Sequence, residues 1–174
     1  MNINMRSSTR KLVVSAVTAA LYVLFGLVSN ALGLAWGPVQ LRLSEALCVL
    51  PCILPGSALG ITLGCVIFNL LSPYGPVDLI CGSLATLLAA LATAKIKKPA
   101  LAWLPPVLCN ALIIGAMLAW YETGFSAGFW RLFGLNALWV GLGEALSCCL
   151  LGAFLLRLVP RLPLLRDMIK GDPS

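Results

Sequence analysis

Carboxylates and amides embedded in apolar runs are the residues of this chain whose types and spacing could do chemistry. Glu144 is flanked by Gly141 and Gly143 with no cation near it in sequence, and Asn110 lies at a similar depth in another apolar run. Ionisable groups inside a membrane cost roughly 2.5 to 3.5 kcal/mol on insertion scales and are usually paired or functional. Closer to the ends of their runs stand Gln40, Arg42, Glu45, Asn69, Asp78 and Asn136. On a helix, Arg42 and Glu45 share a face at i, i+3, as do Gln40 and Ser44 at i, i+4. Six segments thus bring hydrogen-bonding groups toward one outer-leaflet region, with Tyr121, Glu122 and Trp36 counted among them. Carboxylates and amides can read the N–H and carbonyl edge of a planar base, and a carboxylate can neutralise an amine. Trp36 and Trp139 offer flat faces for the ring. A purine-like solute fits that set, whereas a strongly anionic nucleotide does not, because Arg42 and Arg131 are the only cations expected on that side.

Each residue also has a structural reading. Asp78 suits the positive end of a helix, and Arg42 could be an interfacial anchor paired with Glu45. Asn69, Asn110 and Asn136 could join helices by hydrogen bonds. Trp36, Trp120, Trp130 and Trp139 could mark membrane interfaces. Glu144 is the hardest to explain in this way.

Catalytic chemistry finds little support. The chain has no histidine, which removes zincin-type sites, haem ligation by histidine and Ser-His or Cys-His pairs. It also has no Walker A sequence, so ATP coupling would need a partner. Seven cysteines, at 48, 52, 65, 81, 109, 148 and 149, fall within apolar segments without a C-x-x-C pair and read as small buried hydrophobes. We expect a binding module rather than an enzyme, with no cofactor and no metal.

The elements that must position these groups follow from composition. With 60% hydrophobic and 10% charged residues and a mean hydropathy of +0.99, the chain lies far from soluble domains. At roughly 20 apolar residues per span, its 174 residues accommodate about six helices and no separate soluble domain. The first apolar run, Leu12 to Trp36, is too long for a signal-peptide core and reads as a first membrane helix. Pro, Gly and charge clusters divide the text near 11–35, 41–54, 56–72, 77–94, 100–120 and 132–157. The segments at 41–54 and 56–72 are short, with Pro51 and Pro55 between them, and admit two spans, a re-entrant hairpin or one broken span.

Charge favours an even number of crossings between 41 and 72. Lysine and arginine are retained on the cytoplasmic side, and this topology places ten of the twelve cations there, including Arg6, Arg10, Lys11, Lys95, Lys97, Lys98, Arg157, Arg161, Arg166 and Lys170. A single crossing would leave four. The expected fold is an all-α membrane protein, a bundle of six transmembrane helices with both termini cytoplasmic. This topology and contact with anionic lipid account for the net charge of +6 without nucleic-acid binding.

Small residues recur at helical spacing. Gly56, Gly60 and Gly64 form a doubled G-x-x-x-G, a flat strip suited to close helix packing. Ser15, Ala16, Ala19 and Ala20 form a shorter strip that could face the bundle or another subunit.

The run Gln40-Leu-Arg42-Leu-Ser-Glu45-Ala-Leu, then Leu50-Pro51 and Pro55, Gly60-Ile-Thr-Leu-Gly64-Cys65 with Asn69-Leu-Leu, and Asp78-Leu-Ile-Cys-Gly82-Ser-Leu-Ala-Thr86 together resemble the QueT family. These are substrate-binding S components of energy-coupling factor (ECF) transporters, associated with queuosine precursors. The resemblance is concentrated in residues 40 to 95, with Glu144 and the first helix as further support. It implies a bacterial inner-membrane S component that captures a deazaguanine such as preQ1 or queuine from outside. A module of one transmembrane coupling subunit and two ATPase subunits would then drive uptake. It further implies that Ala16 and Ala20 dock the coupling subunit, although Leu12 and Leu24 interrupt the alanine repeat, and that the connection from Asn30 to Val39 closes over the solute. The alternative is a self-sufficient secondary carrier for a small nucleobase-like or vitamin-like solute, with Glu144 as a proton-coupling site. A membrane enzyme ranks behind both.

Overall fold

A computed structural model describes residues 7–37, 39–162 and 165, and the described residues are helical throughout their regular structure. Arg6, Arg166 and Lys170 lie outside the described residues. Among the described residues six α-helices run in chain order: α1 (Ser7–Ala31), α2 (Ser57–Asn69), α3 (Pro76–Thr93), α4 (Leu104–Thr123), α5 (Phe129–Leu146) and α6 (Ala153–Leu158). A ten-residue 3-10 helix, Leu43–Cys52, stands between α1 and α2. A π-helical turn, Ser147–Gly152, joins α5 to α6.

Among the described residues, four stretches are long and apolar enough to cross a membrane: Ser8–Ala31, Pro76–Thr93, Pro99–Thr123 and Phe129–Arg161. The other two apolar helices, Leu43–Cys52 and Ser57–Asn69, are shorter, each about 20 Å at the rise of its helix type against a hydrocarbon core of about 30 Å.

The element boundaries depart from the sequence reading for identifiable reasons. Helix α1 ends at Ala31 rather than near 35, because Gly33 takes a left-handed φ of +71°. Around it, Leu34 N–H donates to the Ser29 carbonyl at 2.9 Å and Gly33 N–H to that of Asn30 at 3.0 Å. This is a Schellman-type stop. The segment expected as an α-helix at 41–54 is the 3-10 helix. Its residues Ser44 to Pro51 are all buried, so no side faces lipid, and Pro51 lacks the N–H that an α-helical ladder needs. A 3-10 run of this length is uncommon and tends to mark a hinge or a site of constraint. The last segment begins at Phe129 rather than 132 and changes pitch at the π turn, another feature that gathers at functional sites.

Sequential helices pack side by side, α1 on α2, α2 on α3, α3 on α4 and α4 on α5. The 3-10 helix runs through the middle of this array and touches α1, α2, α3, α4, α6 and the π turn. Glycines let it and its neighbours approach. A side chain at Gly143 would collide with the Gln40 backbone just before the 3-10 helix, and one at Gly152 would lie 3.0 Å from Val49. The expected glycine strip packs α2 on α1, with Gly60 against Ser15 and Thr18 and Gly64 against Ala19 and Tyr22. A core of Tyr22, Leu47, Cys48, Ile61, Cys65 and Phe68 fills the space between these elements.

Gly143 and Gly134 therefore separate close packing from helix propensity. Gly143→Ala should lower the stability of the detergent-solubilised protein by about 1–3 kcal/mol or more, the usual overpacking cost. Gly134, with nothing within 4 Å, should tolerate Ala with no loss, or gain up to ~1 kcal/mol of helix propensity. Thermal unfolding of the two variants measures the difference, and equal effects would contradict the packing of α5 on Gln40.

Candidate functional site

Arg42 caps the start of the 3-10 helix in an extended conformation, which turns its side chain back into the bundle, where it is 6% exposed. Its Nε donates to the Ala35 carbonyl at 2.8 Å. Its Nη2 lies 3.7 Å from Asp78 Oδ2 on α3, and its Nη1 lies 4.0 Å from Glu45 Oε1 one turn along the 3-10 helix. The guanidinium carbon also sits 4.6 Å from the Trp36 ring centroid and 5.6 Å from that of Phe68. Those two rings stack within 5° of parallel at 5.0 Å. One cation is thus held by two carboxylates, a carbonyl and two aromatic faces, the full set of interactions open to a guanidinium.

Both carboxylates are further engaged. Glu45, 2% exposed, accepts from the Tyr22 hydroxyl of α1 and from Cys48 Sγ at 3.1 Å. Asp78, 1% exposed, accepts from Ser72 Oγ at 2.6 Å. The Asn69 amide donates to the Asp78 carbonyl and to Cys65 Sγ, both at 3.4 Å, while Asn69 Oδ1 is buried without a protein partner. Gly82 makes room for this corner, since a side chain there would lie 2.5 Å from Asn69 Nδ2 and 2.9 Å from Asp78 Oδ1.

A second group adjoins the first through Glu45. Glu144 of α5 accepts from Asn110 Nδ2 of α4 at 3.0 Å. Cys148 in the π turn reaches the Glu45 carbonyl at 3.4 Å and Glu144 Oε1 at 3.9 Å. Two carboxylates therefore face one guanidinium, and Cys148 links Glu45 to Glu144, all buried from water.

The remaining expected residues lie differently. Gln40 is buried at the entrance to the 3-10 helix, its backbone against Gly143. Asn136 donates to Glu122 Oε1 at 3.2 Å and ties α5 to the end of α4. Trp139 is 45% exposed and stands on the outside of α5. Trp36 joins the cluster and also donates from Nε1 to Asn30 Oδ1 at 2.7 Å. Ala16 and Ala20 line an apolar groove of about 550 Å³ with Ala19, Leu24, Leu27 and Ile67.

A family model described as the QueT transporter matches residues 12–161. The chain belongs to the QueT transporter family. Among curated proteins, the queuosine precursor transporter QueT of Lactococcus lactis subsp. cremoris (strain MG1363) is 37% identical over 82 residues, covering 47% of this chain and 48% of that protein. The match thus spans about half the length of that relative. No solved structure matches the chain significantly. With its four long apolar helices, this QueT-family member is a multi-pass membrane protein.

Sequence reasoning missed Tyr22, Phe68, Ser72 and the cysteine contacts to the carboxyls. Tyr22 left a signal, because a tyrosine in the middle of an apolar helix needs a partner for its hydroxyl. Phe68 left none, since nothing in the letters separates a stacking phenylalanine from a packing one.

Tyr22→Phe should cost about 1.5–3 kcal/mol, the value of a hydrogen bond to a charged group, by removing the donor that faces Glu45. Trp139→Leu should change stability by no more than about 0.5 kcal/mol, as for surface positions without special contacts. Thermal unfolding in detergent compares them, and a neutral Tyr22→Phe would contradict the cluster.

Proposed function

We propose that this chain is the membrane-embedded substrate-binding component of an ECF-type importer in the bacterial inner membrane, capturing a queuosine precursor, a deazaguanine such as preQ1 or queuine, from outside. The observation that carries the reading is the buried cluster of Arg42, Glu45 and Asp78 beside the Trp36–Phe68 stack, in a chain of the QueT transporter family. A flat aromatic surface beside carboxylates suits a planar base with an N–H edge. The excess of carboxyl groups over cations suits an amine substituent. The similarity to the Lactococcus queuosine precursor transporter supports the substrate class.

In this mechanism Glu45, Asp78 and Glu144 act as acceptors, Asn69 and Asn110 as amide readers, and Trp36 as a lid carried on the connection from Asn30 to Val39. Gln40, Asn136 and Trp139 are further candidate contacts to the solute, Asn136 being bonded to Glu122 and Trp139 partly exposed. Capture involves no bond making or breaking, so the chain is a binding module. The ATP-hydrolysing step belongs to partners, a coupling subunit and two ATPases, with the groove over Ala16, Ala19 and Ala20 as the docking surface on α1. Both termini are cytoplasmic in this arrangement, with the cations near Lys95–Lys98 and Arg157–Arg161 on the same side.

Ligand-dependent thermal stabilisation of the detergent-purified chain tests the reading, because stabilisation grows with ligand concentration over Kd. At 100 times Kd a deazaguanine should add about 2.7 kcal/mol, and guanine, biotin and thiamin should add much less. Asp78→Asn and Glu144→Gln should abolish the gain. A response to biotin or thiamin alone would reject the substrate, and no response to any solute would reject capture. Uptake that persists in cells without ECF ATPases would favour a self-sufficient carrier instead.

A further inference from the structure

Arg42 sits where a solute of the proposed class would bind, and it does so with the same chemistry. Its guanidinium is planar, lies against the Trp36 and Phe68 rings at 4.6 and 5.6 Å and faces the carboxylates of Asp78 and Glu45 at 3.7 and 4.0 Å. The hydrogen-bonding edge of a deazaguanine, an N–H and an exocyclic NH2 on one carbon, is a cyclic counterpart of that group. The acceptors that hold one will hold the other, and so will the aromatic faces.

We infer that Arg42 is a resident internal ligand, and that solute binds by displacing its guanidinium from Asp78 and the Trp36–Phe68 stack. This rests on the proposed capture of a deazaguanine. Two features support displacement over a fixed structural role. Neither ion pair has the short bidentate geometry of a locked arginine–carboxylate pair, which runs near 2.7–2.9 Å. The one short hydrogen bond Arg42 donates, 2.8 Å from Nε to the Ala35 carbonyl, leaves both Nη atoms to the exchangeable partners. Asn69 Oδ1, buried beside Asp78 without a protein partner, is an acceptor that Arg42 leaves unused and that a broader edge could take.

An internal competitor lowers apparent affinity by the fraction of time it holds the site. Exchange also disfavours solutes lacking a guanidine-like edge, because they would leave buried carboxylates unpaired. Arg42 would thereby determine specificity without forming the main contacts to solute.

The test uses the full chain in detergent as wild type, Arg42→Ala and Arg42→Gln, the second variant serving if alanine does not give folded protein. Methylguanidinium at millimolar concentration should raise the melting temperature of the Arg42 variant by several degrees, with methylammonium far less effective, and should leave the wild type unchanged. Adding Asp78→Asn to the variant should abolish that rescue. In parallel, 7-aminomethyl-7-deazaguanine should bind the Arg42 variant about tenfold more tightly than wild type, the gain expected when a competitor holding the site about nine-tenths of the time is removed. No selective rescue by methylguanidinium, or weaker deazaguanine binding by the variant than by wild type, would overturn the inference. If wild type binds no deazaguanine, the proposed function fails, and methylguanidinium rescue alone then decides whether the Arg42 position accepts a free guanidinium.

Discussion

A guanidinium held away from water among carboxyl groups is the constraint on which the rest of this molecule depends. Desolvating one charged group costs several kcal/mol even after relaxation, and removing one partner of a buried pair costs about 3–5 kcal/mol. Arg42 and Asp78 come from elements separated by the whole of α2, so their pairing requires α1, α2, α3 and the 3-10 helix to close around them. The loop before Arg42 is drawn in through the Ala35 carbonyl, α1 through the Tyr22 hydroxyl on Glu45, and α3 through Asp78 itself.

The same constraint accounts for the shape of the centre. A segment buried on all sides cannot present a lipid face, and the 3-10 helix Leu43–Cys52 is buried from Ser44 to Pro51. Its narrow cross-section lets five helices and the π turn reach it, with glycine at the tightest contacts, Gly143 on Gln40 and Gly152 near Val49. Glu45 then sits where α1 and the π turn can both address it, and Cys148 links it to Glu144 on the far side. Binding, in this account, is an exchange of partners within an already polar interior rather than the filling of an apolar hole.

Much of this was legible in the letters. Long apolar runs and Pro and Gly punctuation placed four of the helices closely, and the cost of burying charge singled out Arg42, Glu45, Asp78 and Glu144. Their partners were harder to read. Spacing suggested Arg42 with Glu45, which holds, but the pair with Asp78 crosses 36 positions and depends on tertiary packing. The helix type at 43–52 was also hidden, because hydrophobic periodicity separates amphipathic helix from strand and has nothing to report where every face is buried. Trp139 and Asn136 show the converse: their residue types suited a solute site, but the letters did not show that Asn136 pairs with Glu122 or that Trp139 is largely exposed.

An experimental structure of the chain bound to a deazaguanine would test the central claim most directly. The account predicts the base over the Trp36–Phe68 pair, its N–H edge on Asp78 and Glu45, and the Arg42 guanidinium turned away from both. A base bound elsewhere, such as the cavity of about 240 Å³ bounded by Val49, Trp103 and Cys148, with the Arg42 contacts intact, would contradict it.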